Sequence, residues 1–163
     1  MRRSLFDSIQ AEVSGSSWLD LFAGSGSFGI EALSRGARRA AFVENGPSGV
    51  ACLQRNLQML GVGEDRAQIL RRRIPELFAS PAPDGAPFDL VSMDPPFALS
   101  RDSAQLEAML LGLQQALAGG WLSESVLLAW EEPSEAAAPA IPGLEEVDRR
   151  AFGISRLRIF RRR

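Results

Sequence analysis

The residues best suited to chemistry are the tetrapeptide Asp94-Pro95-Pro96-Phe97, which directly follows the apolar run 88–93. Proline donates no backbone N–H, so the carbonyl oxygens around Pro95 and Pro96 stay available as acceptors. A planar ring with an exocyclic amine fits this arrangement, because the amine can donate to Asp94 and the Pro95 carbonyl while the ring stacks on Phe97. Alone, the tetrapeptide is more typical of a turn between a strand and a helix than of a binding site.

A second pattern, near the start of the sequence, predicts a cofactor site. Gly24, Gly26 and Gly29 have the spacing G-x-G-x-x-G after a strand-like run, which lets the backbone approach a ligand at a helix N-terminus. Glu44 follows at the end of the next predicted strand, about 20 residues on, where a carboxylate can accept the hydroxyls of a ribose. This combination is typical of an adenosine cofactor, although packing glycines beside a surface Glu44 are the alternative.

The glycine pattern and Glu44 do not by themselves distinguish NAD from S-adenosylmethionine. Asp20 stands just before the loop, where dinucleotide folds hold an anionic pyrophosphate and where the cationic methionine end of S-adenosylmethionine could lie instead. The tetrapeptide at the same expected sheet edge also favours S-adenosylmethionine. The predicted cofactor-binding residues are Asp20, Phe22, Ala23, Gly24, Gly26, Glu44 and Asn45.

The composition excludes several kinds of chemistry. The sequence has no histidine, which rules out Ser-His-Asp and Cys-His nucleophiles and any histidine-based metal site, and no metal is expected. The single cysteine, Cys52, excludes an internal disulfide and fits a reducing cytosol. Helical spacing places Cys52 beside Val50, Leu53 and Leu57, so it is predicted to be a core residue and not a nucleophile.

The charge pattern combines a slightly acidic chain with local clusters of arginine. The net charge is −2, which argues against nucleic-acid binding by bulk electrostatics. All 18 basic residues are arginines, with clusters at 71–73 and in the last eight residues, so these are either solvated surface or local phosphate contacts. No apolar stretch reaches the roughly 18 residues of a membrane span, and no signal peptide is expected.

Alternating strand and helix patterns predict the fold. Strands are predicted at 18–22, 40–44, 67–70, 88–93, 126–131, 144–150 and 155–160, and helices at 3–13, 27–35, 48–60 and around 106–117, the last ended by Gly119-Gly120. Residues 75–78 are predicted to form a helical turn. This order predicts an α/β fold with a mostly parallel seven-stranded sheet, helices on both faces and a C-terminal antiparallel hairpin, all in one domain, 1–163.

Taken together, the segment 20–26, Glu44 and the tetrapeptide resemble the class I S-adenosylmethionine-dependent amino-methyltransferases. Within them the sequence resembles the RsmD family, which methylates the exocyclic N2 of a guanine in 16S ribosomal RNA. The resemblance covers nearly all of the sequence and includes 3–7, 29–36, 56–57, Glu131 and 152–153. It implies a Rossmann-like class I methyltransferase fold, and it implies 16S rRNA, within the small ribosomal subunit, as the partner of a cytoplasmic monomer.

The resemblance also assigns roles to the motif residues. Gly24 and Gly26 would admit the cofactor, Glu44 would hold its ribose, and Asp20 would lie near its methionine end. The catalytic set would be Asp94, Pro95, Pro96 and Phe97: the extruded guanine stacks on Phe97 while its amine donates to Asp94 and the Pro95 carbonyl.

The sequence departs from the family pattern in two places. Family members usually begin with a basic, RNA-binding segment, and this sequence starts after it. Around 72–74 the family usually has Asp or Asn followed by Ala, which reaches the adenine amine, whereas arginine cannot accept a hydrogen bond. Alternative functions are methylation of adenine N6 in DNA or another RNA, an NAD-dependent oxidoreductase, and a domain that binds the cofactor without turnover.

Overall fold

The computed structural model describes residues 1–136 and 139–163. Its strands are β1 (Ser17–Leu21), β2 (Arg39–Val43), β3 (Ala67–Leu70), β4 (Phe88–Met93), β5 (Leu122–Pro133), β6 (Leu144–Phe152) and β7 (Ser155–Arg162). Its helices are α1 (Arg2–Ser8), α2 (Gln10–Val13), α3 (Ser27–Ser34), α4 (Pro47–Met59), α5 (Phe97–Arg101) and α6 (Ser103–Ala118).

The strands of the described residues form one seven-stranded sheet in the order β3-β2-β1-β4-β5-β7-β6. Strands β1 to β5 are parallel to one another, whereas β7 is antiparallel to both β5 and β6. The predicted mostly parallel sheet with a C-terminal antiparallel hairpin is therefore confirmed. The chain order reverses between β1 and β4, and α/β sheets bind ligands at the carboxyl ends of the strands at such a point.

Alternation along the strands sends side chains into two separate cores. In β1, Trp18 packs with α1, α3 and α4 on one face of the sheet, whereas Leu19 and Leu21 pack on the face that α6 covers. Both faces are covered by helices, as predicted. Helix α6 begins at the cap Asp102, whose Oδ1 accepts the Gln105 N–H at 3.0 Å, and it ends at Gly119 as the glycine pair predicts.

Several local predictions were wrong. The helix predicted over 3–13 is interrupted at Ile9 (φ −115°, ψ 18°), next to Ser8, whose hydroxyl donates to the Leu5 carbonyl. Cys52 is exposed and not part of the core, because α4 turns Val50, Leu53 and Leu57 toward the sheet and leaves Cys52 on its outer side. Helix α5 was not predicted. The helical turn predicted at 75–78 is confirmed, because the N–H groups of Phe78 and Ala79 donate to the Pro75 carbonyl at 2.9 and 3.3 Å.

Among residues 1–136 and 139–163, none of the helices has the length and apolar character needed to cross a membrane.

Candidate functional site

A cavity of about 570 Å³ opens at the carboxyl edge of the parallel strands, where the two predicted motifs meet. This volume lies within the range of small-molecule sites, roughly 300–1,000 Å³. The whole tetrapeptide 94–97 lines the cavity, together with the predicted cofactor residues Phe22, Gly24, Glu44 and Asn45. The sheet topology brings them together, because each set follows a parallel strand near the β1–β4 reversal.

The glycine loop has a backbone that few side chains tolerate. Phe22, at its start, is the one non-glycine residue of the described chain with positive φ, at 61°, and residues held this way cluster at functional sites. Gly26 caps α3 with φ 83°, and a Cβ there would lie 2.4 Å from Leu53 Cδ1. From α4, Asn56 Nδ2 donates to the Ser25 carbonyl at 2.9 Å. The loop is therefore fixed from both sides before any ligand binds.

Asp20 lies beneath the loop as a buried anchor, with 1% of its surface exposed. Its Oδ2 accepts the Gly29 N–H at 3.0 Å, an otherwise unpaired donor in the first turn of α3, and its Oδ1 accepts the Ser92 hydroxyl at 2.7 Å. The Ser92 hydroxyl in turn accepts the Trp18 Nε1–H at 2.9 Å. Burial raises the pKa of Asp20 to about 7, and the charges of Asp94 and Glu44 act in the same direction.

Three predicted cofactor residues, Asp20, Ala23 and Gly26, are not among the residues that line the cavity. Asp20 and Ala23 are buried. Direct contact of these three residues with a cofactor stays a prediction. Asp20 and Gly26 instead fix the conformation of the glycine loop, whose residues Phe22 and Gly24 line the cavity.

Glu44 is held by the backbone on both of its oxygens. Oε2 accepts the Gly24 N–H at 2.8 Å, and Oε1 accepts the Gly46 N–H at 2.7 Å. Each carboxylate oxygen can accept a second bond, so the fixed carboxylate still has capacity for two hydroxyl donors. This is the arrangement that a ribose diol requires.

Asp94 follows the last residue of β4 and is half-buried. Burial raises the pKa of its carboxyl above the ordinary value. Within residues 1–136 and 139–163, neither the Asp94 carboxylate nor the Pro95 carbonyl accepts a hydrogen bond, although Pro96 O accepts the N–H groups of Leu99 and Ser100. Two acceptors thus remain without a partner in a cavity that Phe97, at the start of α5, also lines.

The structure adds cavity residues that the sequence did not assign to the site. Leu99, Gln105 and Met109 come from α5 and α6. Met109 lies in the helix predicted around 106–117 but was not assigned to a site, and no sequence signal marks Leu99 or Gln105. Arg72, Arg73 and Ile74 also line the cavity, so the departure from the family pattern falls inside the site.

A larger depression of about 780 Å³ runs along the β3 edge of the sheet and includes Arg39, Gln54, Asp65 and Arg66. None of the predicted site residues lines it, so it is not the candidate site. Within the described ranges, no group of three or more Asp, Glu or Cys side chains is placed to hold a metal ion.

Comparison with known proteins identifies relatives along the whole chain. The model of a family described as Conserved hypothetical protein 95 matches residues 1–161. The Ribosomal RNA small subunit methyltransferase D of Escherichia coli K12 is 31% identical over 142 residues, which cover 87% of this chain and 66% of that protein. The protein of the same name from Haemophilus influenzae is 35% identical over 97 residues, 60% of this chain and 50% of that one. These matches span half to two thirds of those relatives.

Solved structures share the fold. The putative methyltransferase yhhF of Escherichia coli superposes with a TM-score of 0.84 at 28% identity, covering 99% of this chain and 83% of that one. SMU.776, a putative methyltransferase complexed with SAH, has a TM-score of 0.68 at 15% identity over 96% of this chain and 49% of that one, a likeness of fold alone. The sheet order and these neighbours define a Rossmann-like class I methyltransferase fold.

Proposed function

Because the chain belongs to the family described as Conserved hypothetical protein 95, we propose that it is a methyltransferase that uses S-adenosylmethionine to methylate ribosomal RNA. The proposed acceptor is the exocyclic N2 amine of a guanine in 16S rRNA, within the small ribosomal subunit. The ribosomal substrate is suggested by the names of the relatives, and the amine is suggested by the site itself.

The observation that carries the proposal is one cavity that holds two complementary acceptor sets. Glu44 offers carboxylate oxygens for a ribose diol, and Asp94 with the Pro95 carbonyl offers acceptors for an amine. Both sets lie on the edge where α/β folds bind ligands. A nucleoside cofactor and a planar amine can therefore meet there without any rearrangement of the sheet.

The carboxyl groups of the site favour a cationic cofactor, although Arg72 and Arg73 also line the cavity. The carboxyl groups of Asp20, Glu44 and Asp94 lie close enough together for the charges of the latter two to raise the pKa of Asp20, after burial itself. A sulfonium and an ammonium group would relieve this repulsion, whereas the pyrophosphate of NAD would increase it. These charges favour S-adenosylmethionine over the NAD that an oxidoreductase would bind.

The chain's residues would then act by positioning. S-adenosylmethionine supplies an electrophilic methyl group when bound. Phe97 stacks on the flipped base, and Asp94 and the Pro95 carbonyl accept the two amine hydrogens, which turns the nitrogen lone pair out of conjugation and toward the methyl carbon. Pro96, which forms the cap of α5, fixes the approach of Phe97. No covalent enzyme intermediate is needed.

We expect the chain to act as a monomer, in one domain, in the cytoplasm where ribosomal subunits assemble, and without a metal ion.

The decisive experiment is methyl transfer by the purified chain to small ribosomal subunits isolated from cells that lack its gene. Methyl-labelled S-adenosylmethionine and nucleoside mass analysis should give N2-methylguanosine at one position of 16S rRNA. Labelled N6-methyladenosine, or label entering duplex DNA and not the subunit, would contradict the guanine assignment. Cofactor binding without transfer to any RNA or DNA would favour a binding-only domain.

A further inference from the structure

Two carboxylates stand side by side at the carboxyl edge of β4 and β5. Met93 pairs with Trp130 in the parallel register, so the next residues along each strand, Asp94 and Glu131, occupy neighbouring positions. Neighbouring strands are about 4.8 Å apart, so the two carboxyl groups are neighbours, although only Asp94 is among the residues that line the cavity. The register alone therefore places a second carboxyl group beside the first.

Both carboxyl groups belong to the same face of the sheet. Met93 and Trp130 pack in the core beneath α6, whereas the preceding pair, Ser92 and Ala129, belongs to the opposite face. Continuing the alternation puts Asp94 and Glu131 on that opposite face. Asp20, which is hydrogen-bonded to Ser92, lies on this face one row deeper in the sheet.

The surroundings of Glu131 favour its protonated form, compared with a fully solvated glutamate. Glu131 is half-buried, burial raises the pKa of its carboxyl, and the charge of Asp94 raises it further. The groups that act in the other direction are the Ser155 hydroxyl on β7 and the amino group of Met1. No arginine pairs with Glu131 in the described ranges, in contrast to its neighbour Glu132, which pairs with Arg156 at 2.7 Å.

We infer that Glu131 is a further catalytic residue, which shares with Asp94 the amine hydrogen that this carboxylate accepts and takes the proton that the amine loses. This inference rests on the proposed function. It is not needed to explain the fold, since the strand contacts of Glu131 are made by its backbone opposite Leu157 of β7.

The amine lone pair forms the new N–CH₃ bond, and the electrons of the S–CH₃ bond stay on sulfur, which becomes a neutral thioether. The nitrogen would then carry a positive charge, so one of its protons passes to a carboxylate oxygen of the Asp94–Glu131 pair and leaves later to water. A pair that shares one proton suits this task, because its first protonation is easier than that of an isolated carboxylate.

The test compares Glu131→Gln with the wild type and with Glu124→Gln, which changes an exposed side chain on the same strand. Glu131→Gln should lower kcat on small ribosomal subunits by about 10- to 100-fold, while the Kd for S-adenosylmethionine stays within about twofold. The acidic limb of its kcat–pH profile should move to lower pH, because Asp94 loses a neighbouring negative charge. Glu124→Gln should match the wild type in all three measurements.

A purely structural role would lower kcat without moving the acidic limb, and this result would overturn the inference, as would an unchanged kcat. If Glu131→Gln does not fold, Glu131→Asp decides: a reduced kcat with the limb at its wild-type position supports the inference, and an unchanged kcat rejects it. A wild-type chain that transfers methyl groups while Glu131→Gln is equally active removes this inference alone. A wild-type chain without transfer overturns the proposed function as well.

Discussion

The Asp20 carboxylate accepts the N–H of Gly29 at 3.0 Å from inside the sheet and so ties the end of β1 to the first turn of α3. This bond keeps the glycine loop in place, and Ser92 holds the other carboxylate oxygen from β4. Through these hydrogen bonds, Asp20 connects the glycine loop after β1 with β4, the strand that leads into the tetrapeptide 94–97.

The burial of Asp20 predicts an unusual dependence of stability on pH. Its pKa is about 7 in the folded chain and near the ordinary 3.8 when unfolded, so between these values the folded chain keeps a proton that the unfolded chain releases. Stability should therefore fall as pH rises through this window, by at most about 1.4 kcal/mol per pH unit. Urea unfolding at pH 5, 6, 7 and 8 measures the slope.

Asp20→Asn should flatten that slope, whereas Asp84→Asn, at an exposed loop position, should keep it. The same slope in the wild type and Asp20→Asn would show that another group is responsible.

Asp94→Ala should abolish methyl transfer while the affinity for S-adenosylmethionine changes by no more than a few-fold. The reason is that Asp94 is expected to contact the target amine, whereas Glu44 and the glycine loop hold the cofactor. Single-turnover transfer to small subunits measures the first quantity, and calorimetric titration of the cofactor measures the second. An equal loss of both would contradict the role given to Asp94.

Phe97→Ala should lower kcat/KM for the RNA by about 5- to 150-fold, the equivalent of roughly 1–3 kcal/mol of base stacking. Phe97→Tyr keeps an aromatic face and serves as the matched control, with kcat/KM expected close to the wild type. Steady-state methylation at varied subunit concentration gives both values. An unchanged kcat/KM in Phe97→Ala would exclude stacking on this ring.

Glu44→Gln should weaken cofactor binding by about tenfold or more. Both carboxylate oxygens of Glu44 accept backbone N–H groups, at 2.8 and 2.7 Å, and the NH₂ group of glutamine would face one of these N–H donors. Titration calorimetry with S-adenosylmethionine measures the loss, and Glu64→Gln, at an exposed position, is the control. Wild-type affinity in Glu44→Gln would leave the ribose contact without support.

Much of the fold could be predicted because the central strands β1, β2 and β4 are short, mostly apolar runs that a glycine loop or a carboxylate follows. The RsmD family assignment is confirmed by the family match and by relatives named Ribosomal RNA small subunit methyltransferase D. The interruption at Ile9 and helix α5 were missed, because a serine that bonds to its own helix and a Pro-Pro pair that leads directly into a helix are local effects that apolar spacing does not report.

The site could be predicted only in part, since the contacts beneath the glycine loop depend on the register between strands. The sequence identifies Asp20 as an acidic residue beside the glycine loop, but its pairing with Ser92 follows from the alignment of β1 with β4. Likewise, Gln105 enters the cavity because α6 packs across the edge of the sheet, which no motif encodes. Cys52 was predicted to be buried and is exposed, because on a helix adjacent residues such as Cys52 and Leu53 point in different directions.

The reversal of chain order between β1 and β4 separates two sets of residues. The groups expected to hold the methyl donor follow β1 and β2, and those expected to hold the methyl acceptor follow β4. Substitutions in the segment after β4 would retune which nucleobase is modified without touching the loop after β1 or Glu44 after β2. A lineage could thus diverge in substrate while inheriting its donor chemistry unchanged, and grafting the β4 segment of one such protein into another becomes a route to new specificities.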